Sequence, residues 1–249
     1  RQASNRLVKG VGFLLKKHKI DTYEGWGTIQ DKSTVSVELS KGGTETLKTK
    51  NLIIATGSLV NLLPGVTLSE HVVTYLEAIL SETLPASAVI VGAGPIGVEF
   101  AYIMHNYGVD VTLVEYLPHL LPNEDEEVSV ELERQYKRRG VKFMTGTAMK
   151  SAEETGTGVR VTVEKDGQSQ VIEAEWALMA TGFKPRLDGY GLESLKDLAI
   201  SRHGAIEIDE HMATNIPGVW AIGDVTGKLM LAHVGSAMGI ITAESIAGV

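Results

Sequence analysis

Cysteine is absent from this chain. That excludes a disulfide framework, a thiolate nucleophile and any Cys-ligated zinc or iron–sulfur centre built from its own residues. Positive charge is in deficit: 23 Lys plus Arg stand against 31 Asp plus Glu, a formal net charge of -8, which argues against a nucleic-acid or anionic-membrane surface. Every apolar run falls short of the roughly 18 to 20 residues that span a bilayer. The opening RQASNRLVKG lacks both an initiator Met and a signal-peptide core. His18, His71, His105, His119, His203, His211 and His233 show no ligand spacing, and Glu124 to Glu127 suits a helix N-terminus, so no metal site is expected. These absences lead to the expectation of a soluble intracellular protein, or a piece of one, without nucleic acid or membrane as partner. Its 249 residues suit one large domain or two small ones.

Along the first block, Val8, Val11, Leu14 and Leu15 recur at helical spacing. Short strand-like stretches follow at Tyr23 to Ile29, Thr34 to Leu39 and Glu45 to Lys48, with a turn expected at Lys41-Gly42-Gly43. NLIIATGS then reads as an apolar strand entering a turn at Thr56 and Gly57. Residues 61–87 read as a linker with one short helix, punctuated by Pro64-Gly65 and Pro85. From Ala88 onward, strand and helix alternate: a strand to Val91, a helix from Glu99 to Tyr107 ended by Gly108, and a strand from Val111 to Glu115. A charged helix over 124–139 places Val128, Leu132 and Tyr136 on one face and is stopped by Gly140. Val141 to Met144 is a further strand. Asp166-Gly167 between Val159 to Val163 and Gln170 to Ala174 is a hairpin signal. Trp176 to Thr181 leads into a second Ala-Thr-Gly, and VWAIGDV precedes an apolar segment from Leu229 to Ala247.

The chemistry concentrates in one turn. Gly92, Gly94 and Gly97 form G-x-G-x-x-G after a strand and at the start of a helix, with Pro95 and Ile96 between the last two glycines. The first glycine permits the tight turn, the second lets a pyrophosphate approach the backbone, and the third lets helix and strand pack closely. Exposed N–H groups and the helix dipole favour the negative charge. Glu115 ends the following strand about twenty residues on, where a carboxylate accepts both ribose hydroxyls of an adenine nucleotide. The same carboxylate repels a 2′-phosphate and no Arg follows closely, so NAD is expected rather than NADP.

With these residues in view, nearly the whole chain resembles the pyridine nucleotide-disulfide oxidoreductases, and most of all their dihydrolipoyl dehydrogenase branch. The motifs run in the family's order. ATGS at Ala55 to Ser58 is followed by VGAGPIGVE from Val91 to Glu99, then ATGFKP from Ala180 to Pro185. NIPGVWAIGDV from Asn215 to Val225, LAHVGSAMG from Leu231 to Gly239, and AESIAG complete the series. The resemblance implies an α/β fold, a Rossmann-like NAD-binding domain inserted in the remainder of an FAD-binding domain. The boundaries expected are 1–64 for the FAD-domain remainder, 65–186 for the NAD domain and 187–249 for a central FAD-binding segment.

The resemblance also implies roles. Asp224, after Gly223, would bind the ribitol of FAD, the alternative being a helix N-cap. Met230 to His233 would start a helix aimed at the flavin, which brings in Leu231, Ala232 and His233; alone, a Leu-Ala-His says little. Glu99 would stand near the nicotinamide as the catalytic candidate, against the alternative of an exposed first-turn Glu on the helix dipole. Thr56 and Gly57 would line the flavin, and Thr181 and Gly182 the path of NAD. Lys184 stands where the family often has Arg.

Departures from the family pattern carry equal weight. A complete member opens with its own glycine fingerprint and a C-x4-C redox pair and closes with a dimerisation domain bearing a His–Glu pair; neither stretch is present here. The expectation is an internal fragment of a homodimeric parent that passes electrons from dihydrolipoamide, as on the lipoyl domain of 2-oxoacid dehydrogenase complexes, through FAD to NAD. Such a parent would be cytoplasmic, or in the mitochondrial matrix of a eukaryote. Alone, the piece would lack dithiol chemistry. Other readings are a non-catalytic NAD-binding module, a subunit completed by another chain, or a segment of a glutathione, mercuric or coenzyme A disulfide reductase.

Overall fold

The computed structural model describes residues 2–249. The chain divides into two units, one of residues 2–58 with Pro185–Val249 and the other of Leu59–Lys184, so the second is inserted in the sequence of the first.

The inserted unit is built on a five-stranded sheet, ordered Val72–Thr74, Trp176–Met179, Ser87–Val91, Asp110–Val114 and Lys142–Met144. Every pairing in it is parallel. Parallel strands need crossovers, and the helices Pro95–Asn106 and Glu126–Arg139 supply them for the last three strands. The next connection runs through an antiparallel meander of Ala148–Glu154, Val159–Lys165 and Gln168–Ala174, and returns the chain to the opposite side of Ser87–Val91. The order of strands therefore reverses at Ser87–Val91, the place where a doubly wound sheet opens a crevice at its carboxyl edge.

Alternation along the strands fixes the two faces. Ala88, Ile90, Leu113 and Leu178 join Ala101, Met104 and Tyr136 in a core on the helical side. Val89, Val91, Val114, Ala177 and Met179 pack with Val159, Val161 and Val163 of the meander on the other. Both faces are covered, which is why these strands read as nearly continuous apolar runs.

The remaining unit joins two distant stretches around one core. Leu52–Ile54 pairs in parallel with Val219–Ala221. Gly25–Asp31, Thr34–Leu39 and Thr44–Lys48 form an antiparallel sheet whose Ile29 packs with Leu52, Ile54, Ile206, Val219 and Val225. The helix Gln2–Lys17 buries none of its residues: Leu7, Val8 and Phe13 are each about two-thirds exposed. Among the described residues, no helix is long and apolar enough to cross a membrane.

Several elements depart from the sequence expectation. The supposed linker contains the buried strand Val72–Thr74, an edge of the central sheet. The first crossover helix begins at Pro95 rather than Glu99, since Pro is tolerated where the first-turn N–H has no helical partner. In Glu126–Arg139 the inward positions are Ser129, Leu132 and Tyr136, and Val128 is exposed. The Asp166-Gly167 hairpin is present, with both residues at positive φ (51° and 75°), the pair of left-handed conformations that a tight two-residue turn demands.

Leu178 is fully buried on the central strand flanking the reversal. Leu178→Ala is expected to lower stability by about 2–5 kcal/mol, measured as a shift in urea midpoint followed by circular dichroism.

Candidate functional site

The glycine turn lies at the strand-order reversal, and its three glycines are small for three different reasons. Gly92 has φ 101°, and a Cβ there would lie 2.4 Å from the carbonyl oxygen of Ala180. A Cβ on Gly97 would meet the Gly92 carbonyl oxygen at 1.8 Å, so the helix can approach the turn only without a side chain at that position. Gly94 is different: a Cβ there would meet nothing within 4 Å. Protein packing does not demand a glycine at 94; open space over that backbone does suit a ligand's close approach.

Helix geometry adds to this. Gly94 is the N-cap, with no side chain to satisfy the first-turn amides, and the first helical bond runs from Val98 N–H to the Gly94 carbonyl (3.1 Å). The N–H groups of Ile96 and Gly97 have no partner inside the helix. Pro95 at N1 presents no N–H at all. The result is a small cluster of amides at the positive end of a helix dipole, able to hold an anion.

Glu115 reaches this turn directly. One carboxylate oxygen accepts from the Ala93 N–H at 2.6 Å and the other from the Leu117 N–H at 2.8 Å. The residue is buried, 7% exposed. A carboxylate offers about four acceptor positions, so two remain for hydroxyl donors. The second Ala-Thr-Gly turn follows Trp176–Met179, the strand beside Ser87–Val91. Ala180 N–H donates to the Val91 carbonyl (2.8 Å), Thr181 Oγ1 donates to the Asn61 carbonyl (2.5 Å), and Gly182 adopts φ 88°. Gly92, Gly94, Pro95, Ile96, Gly97, Glu115, Thr181 and Gly182 thus share the carboxyl edge of one sheet.

Glu99 is exposed on the helix Pro95–Asn106. It lines a groove of about 370 Å³ with Val98, Tyr102, Leu132, Tyr136 and Arg139. The Tyr136 hydroxyl, overlooked in the sequence reading, donates to the Val98 carbonyl at 2.5 Å and ties the two crossover helices together one residue before Glu99. No signal in the sequence marks that bond beyond the helical spacing of Tyr136.

In the other unit the remaining candidates form a second group. The Thr56–Gly57 turn follows Leu52–Ile54, and Gly223–Asp224 follows the paired strand Val219–Ala221. Ser58 Oγ donates to Asp224 Oδ2 at 2.7 Å, leaving Oδ1 without a hydrogen-bond partner among the described residues. Thr56 Oγ1 donates to the Arg186 carbonyl (2.7 Å), and the Arg186 N–H donates to the Gly57 carbonyl (3.0 Å). Asp224 sits inside the short 3-10 turn Gly223–Thr226 rather than capping a helix. The helix that follows starts at Ala232, not Met230; Leu231 is its N-cap and makes no side-chain cap, so its first amides are free of helical partners. His233 is exposed. Met238 Sδ accepts from Gly223 N–H, and Gly235 lies over the Gly223 backbone, which seats this helix on the Gly-Asp turn.

Residues 2–239 match the family model described as pyridine nucleotide-disulphide oxidoreductase. The chain belongs to that family. It is 53% identical over 251 residues to a dihydrolipoyl dehydrogenase of Mycobacterium leprae and 46% identical over 250 residues to one of Corynebacterium glutamicum, covering 100% of this chain in each case. It spans about half the length of these curated relatives, 54% and 53% respectively. Among solved structures, LpdA of Mycobacterium tuberculosis matches with a TM-score of 0.79 and 30% identity over 92% of this chain and 48% of its own. The HOCl-induced flavoprotein disulfide reductase RclA of Escherichia coli matches with a TM-score of 0.83 over 99% of this chain and 57% of its own; at 24% identity it shares the fold. The fold class is accordingly the expected one, α/β with a Rossmann-like unit, and the parent family is one of oxidoreductases. As a whole, this matches the resemblance drawn from the motifs.

Burial pushes the Tyr136 phenol up to about 12, with the charge of Glu99 and the neighbouring Tyr102 adding to it. The folded value lies above the usual value near 10. Stability from this group is therefore complete below about pH 10 and is lost as the pH climbs through about 12. A tyrosinate absorbance titration should show one late-titrating phenol that disappears in Tyr136→Phe.

Proposed function

We propose that this chain is the NAD- and FAD-binding segment of a flavoprotein disulfide oxidoreductase of the dihydrolipoyl dehydrogenase type, whose parent oxidises dihydrolipoamide to lipoamide with reduction of NAD. The single observation that carries the nucleotide assignment is the open space over Gly94 beside a buried carboxylate with spare acceptor positions.

In this reading residues 59–184 hold NAD. Amides of Ile96 and Gly97 at the helix start take the diphosphate, and Glu115 accepts the adenosine ribose hydroxyls. The absence of a nearby Arg leaves a 2′-phosphate facing a negative charge, so NAD is preferred to NADP. Thr181 and Gly182 line the dinucleotide's path, and Glu99 orients the nicotinamide.

The other unit supplies part of the FAD site. The chain's residues fit the group: Asp224 keeps one oxygen for ribitol hydroxyls while Ser58 fixes the other, and Thr56 and Gly57 form the adjoining turn. Uncapped amides at Ala232 and His233 offer positive charge to the ring, while the Leu231 N–H donates to the Leu229 carbonyl (2.9 Å) and shapes the entry to the helix. FAD, when bound, would relay the electron pair between dithiol and NAD. The chain's part is to bind, orient and stabilise charge. With no cysteine of its own, it cannot perform the dithiol step, and that observation favours a second reading for the isolated chain, a nucleotide-binding module without catalysis. For the parent we propose a homodimer of the cytoplasm that works with lipoyl domains; the bacterial origin of the relatives above supports the compartment.

Gly94→Ala separates function from folding. Its φ of -66° suits alanine and no protein atom opposes a Cβ, so thermal stability should stay within about one or two degrees of the parent chain. NADH affinity should fall at least tenfold, read by calorimetry. Saturable NADH binding with NADPH at least tenfold weaker is expected of the unmutated chain; no heat with NADH overturns the reading. Diaphorase activity in the isolated chain would overturn the module reading.

A further inference from the structure

Ala93, the residue between the first two fingerprint glycines, has both its backbone groups engaged from outside the turn. Its N–H donates to Glu115 Oε2 at 2.6 Å, and its carbonyl accepts from the Leu121 N–H at 2.8 Å. The Ala93 side chain is fully buried in the helical-side core. A third bond, from Gly92 N–H to the Val114 carbonyl (2.8 Å), ties the turn to the end of the neighbouring strand. The neighbouring strand end and the loop after it take all three groups, as buried backbone requires.

Leu121 makes its bond from an uncommon conformation. Its φ is 49°, a left-handed geometry that a leucine adopts only when the surroundings fix it. What fixes it is local: the Leu121 carbonyl accepts from Ser129 Oγ (3.2 Å) and from the Glu124 N–H (2.9 Å), and its side chain packs against the helical-side core. The loop after Glu115 is therefore braced on the helix Glu126–Arg139 and presses its Leu121 amide onto the glycine turn.

From this we infer that Glu115 and Leu121 are positioning residues that grip the Ala93 peptide from both sides and hold the anion-binding turn in shape before any nucleotide arrives. The inference rests on the nucleotide reading of the same turn, and adds that Glu115 acts on the diphosphate end of the ligand as well as on the ribose. Holding the amides of the turn in place beforehand removes ordering cost from binding. A carboxylate is needed for this, because both of its oxygens face N–H donors. In Glu115→Gln the amide NH2 must face either Ala93 N–H or Leu117 N–H, donor against donor, although glutamine still hydrogen-bonds ribose hydroxyls.

The test uses a ligand without ribose. Inorganic pyrophosphate is titrated into the whole chain and into Glu115→Gln, and the amide resonances of Gly94, Ile96 and Gly97 are followed by NMR. Amide hydrogen exchange is measured on both proteins without ligand. The grip predicts Ala93 N–H protection of at least a hundredfold in the unmutated chain and a loss of at least tenfold in Glu115→Gln. Exchange in the strands Ser87–Val91 and Asp110–Val114 stays unchanged, and pyrophosphate binding weakens at least fivefold. Unchanged pyrophosphate binding with unchanged Ala93 exchange overturns the inference, even if NADH binding weakens, since Glu115 then touches ribose alone. If Glu115→Gln does not fold, the unmutated chain still decides: an Ala93 amide that exchanges as fast as that of an open turn overturns the grip. A chain that shows the protection but binds neither NADH nor pyrophosphate defeats the nucleotide reading while leaving the grip itself standing.

Discussion

The approach of two backbones at Gly92 and Ala180 organises the inserted unit. Their strands are neighbours across the point where the sheet's order reverses, and each leaves the sheet through a turn. A side chain at 92 would occupy the space held by the Ala180 carbonyl. Only a residue without Cβ, in a left-handed conformation, lets the two turns exit side by side. The start of the following helix is aimed by that turn, and the Gly97 backbone then settles against the Gly92 carbonyl. Each contact presupposes the one before it.

The two candidate groups follow the same design on different strands. In each, parallel strands end in turns at a common edge, an acidic side chain is fixed by a single donor on at least one oxygen, and an uncapped helix start lies close by in sequence. Glu115 is held by backbone amides and is buried; Asp224 is held by the Ser58 hydroxyl. A hydroxyl rotates and can exchange partners, whereas a backbone amide in a packed loop cannot. The glycine turn is accordingly the more tightly hydrogen-bonded of the two arrangements.

Much of this is readable from residue order because the informative residues stand where the backbone accepts few residue types. Gly92, Gly140 and the Asp166-Gly167 pair announce their turns, and Gly97 a close helix approach, by what other residues cannot do there. The strand Val72–Thr74 escaped notice since three residues carry no periodicity, and the Pro64-Gly65 pair upstream suggested a linker. Ala148–Glu154 was equally obscure: AMKSAEE mixes polar and apolar residues across a register shift between Met149 and Ser151. Pairings such as Tyr136 with Val98, or Leu121 with Ala93, depend on where loops cross in space, and no local pattern encodes them.

The hydrogen bond between Asn61 N–H and the Gly182 carbonyl (2.9 Å) has a bearing on ancestry and engineering. It brings the beginning and the end of the inserted unit to one spot. A module whose two ends meet requires no span from its host, and a host loop can accept or release it while preserving its own connectivity. Residues 59–184 have the geometry of a cassette, suited to transplantation into another scaffold or to exchange for the corresponding unit of a relative.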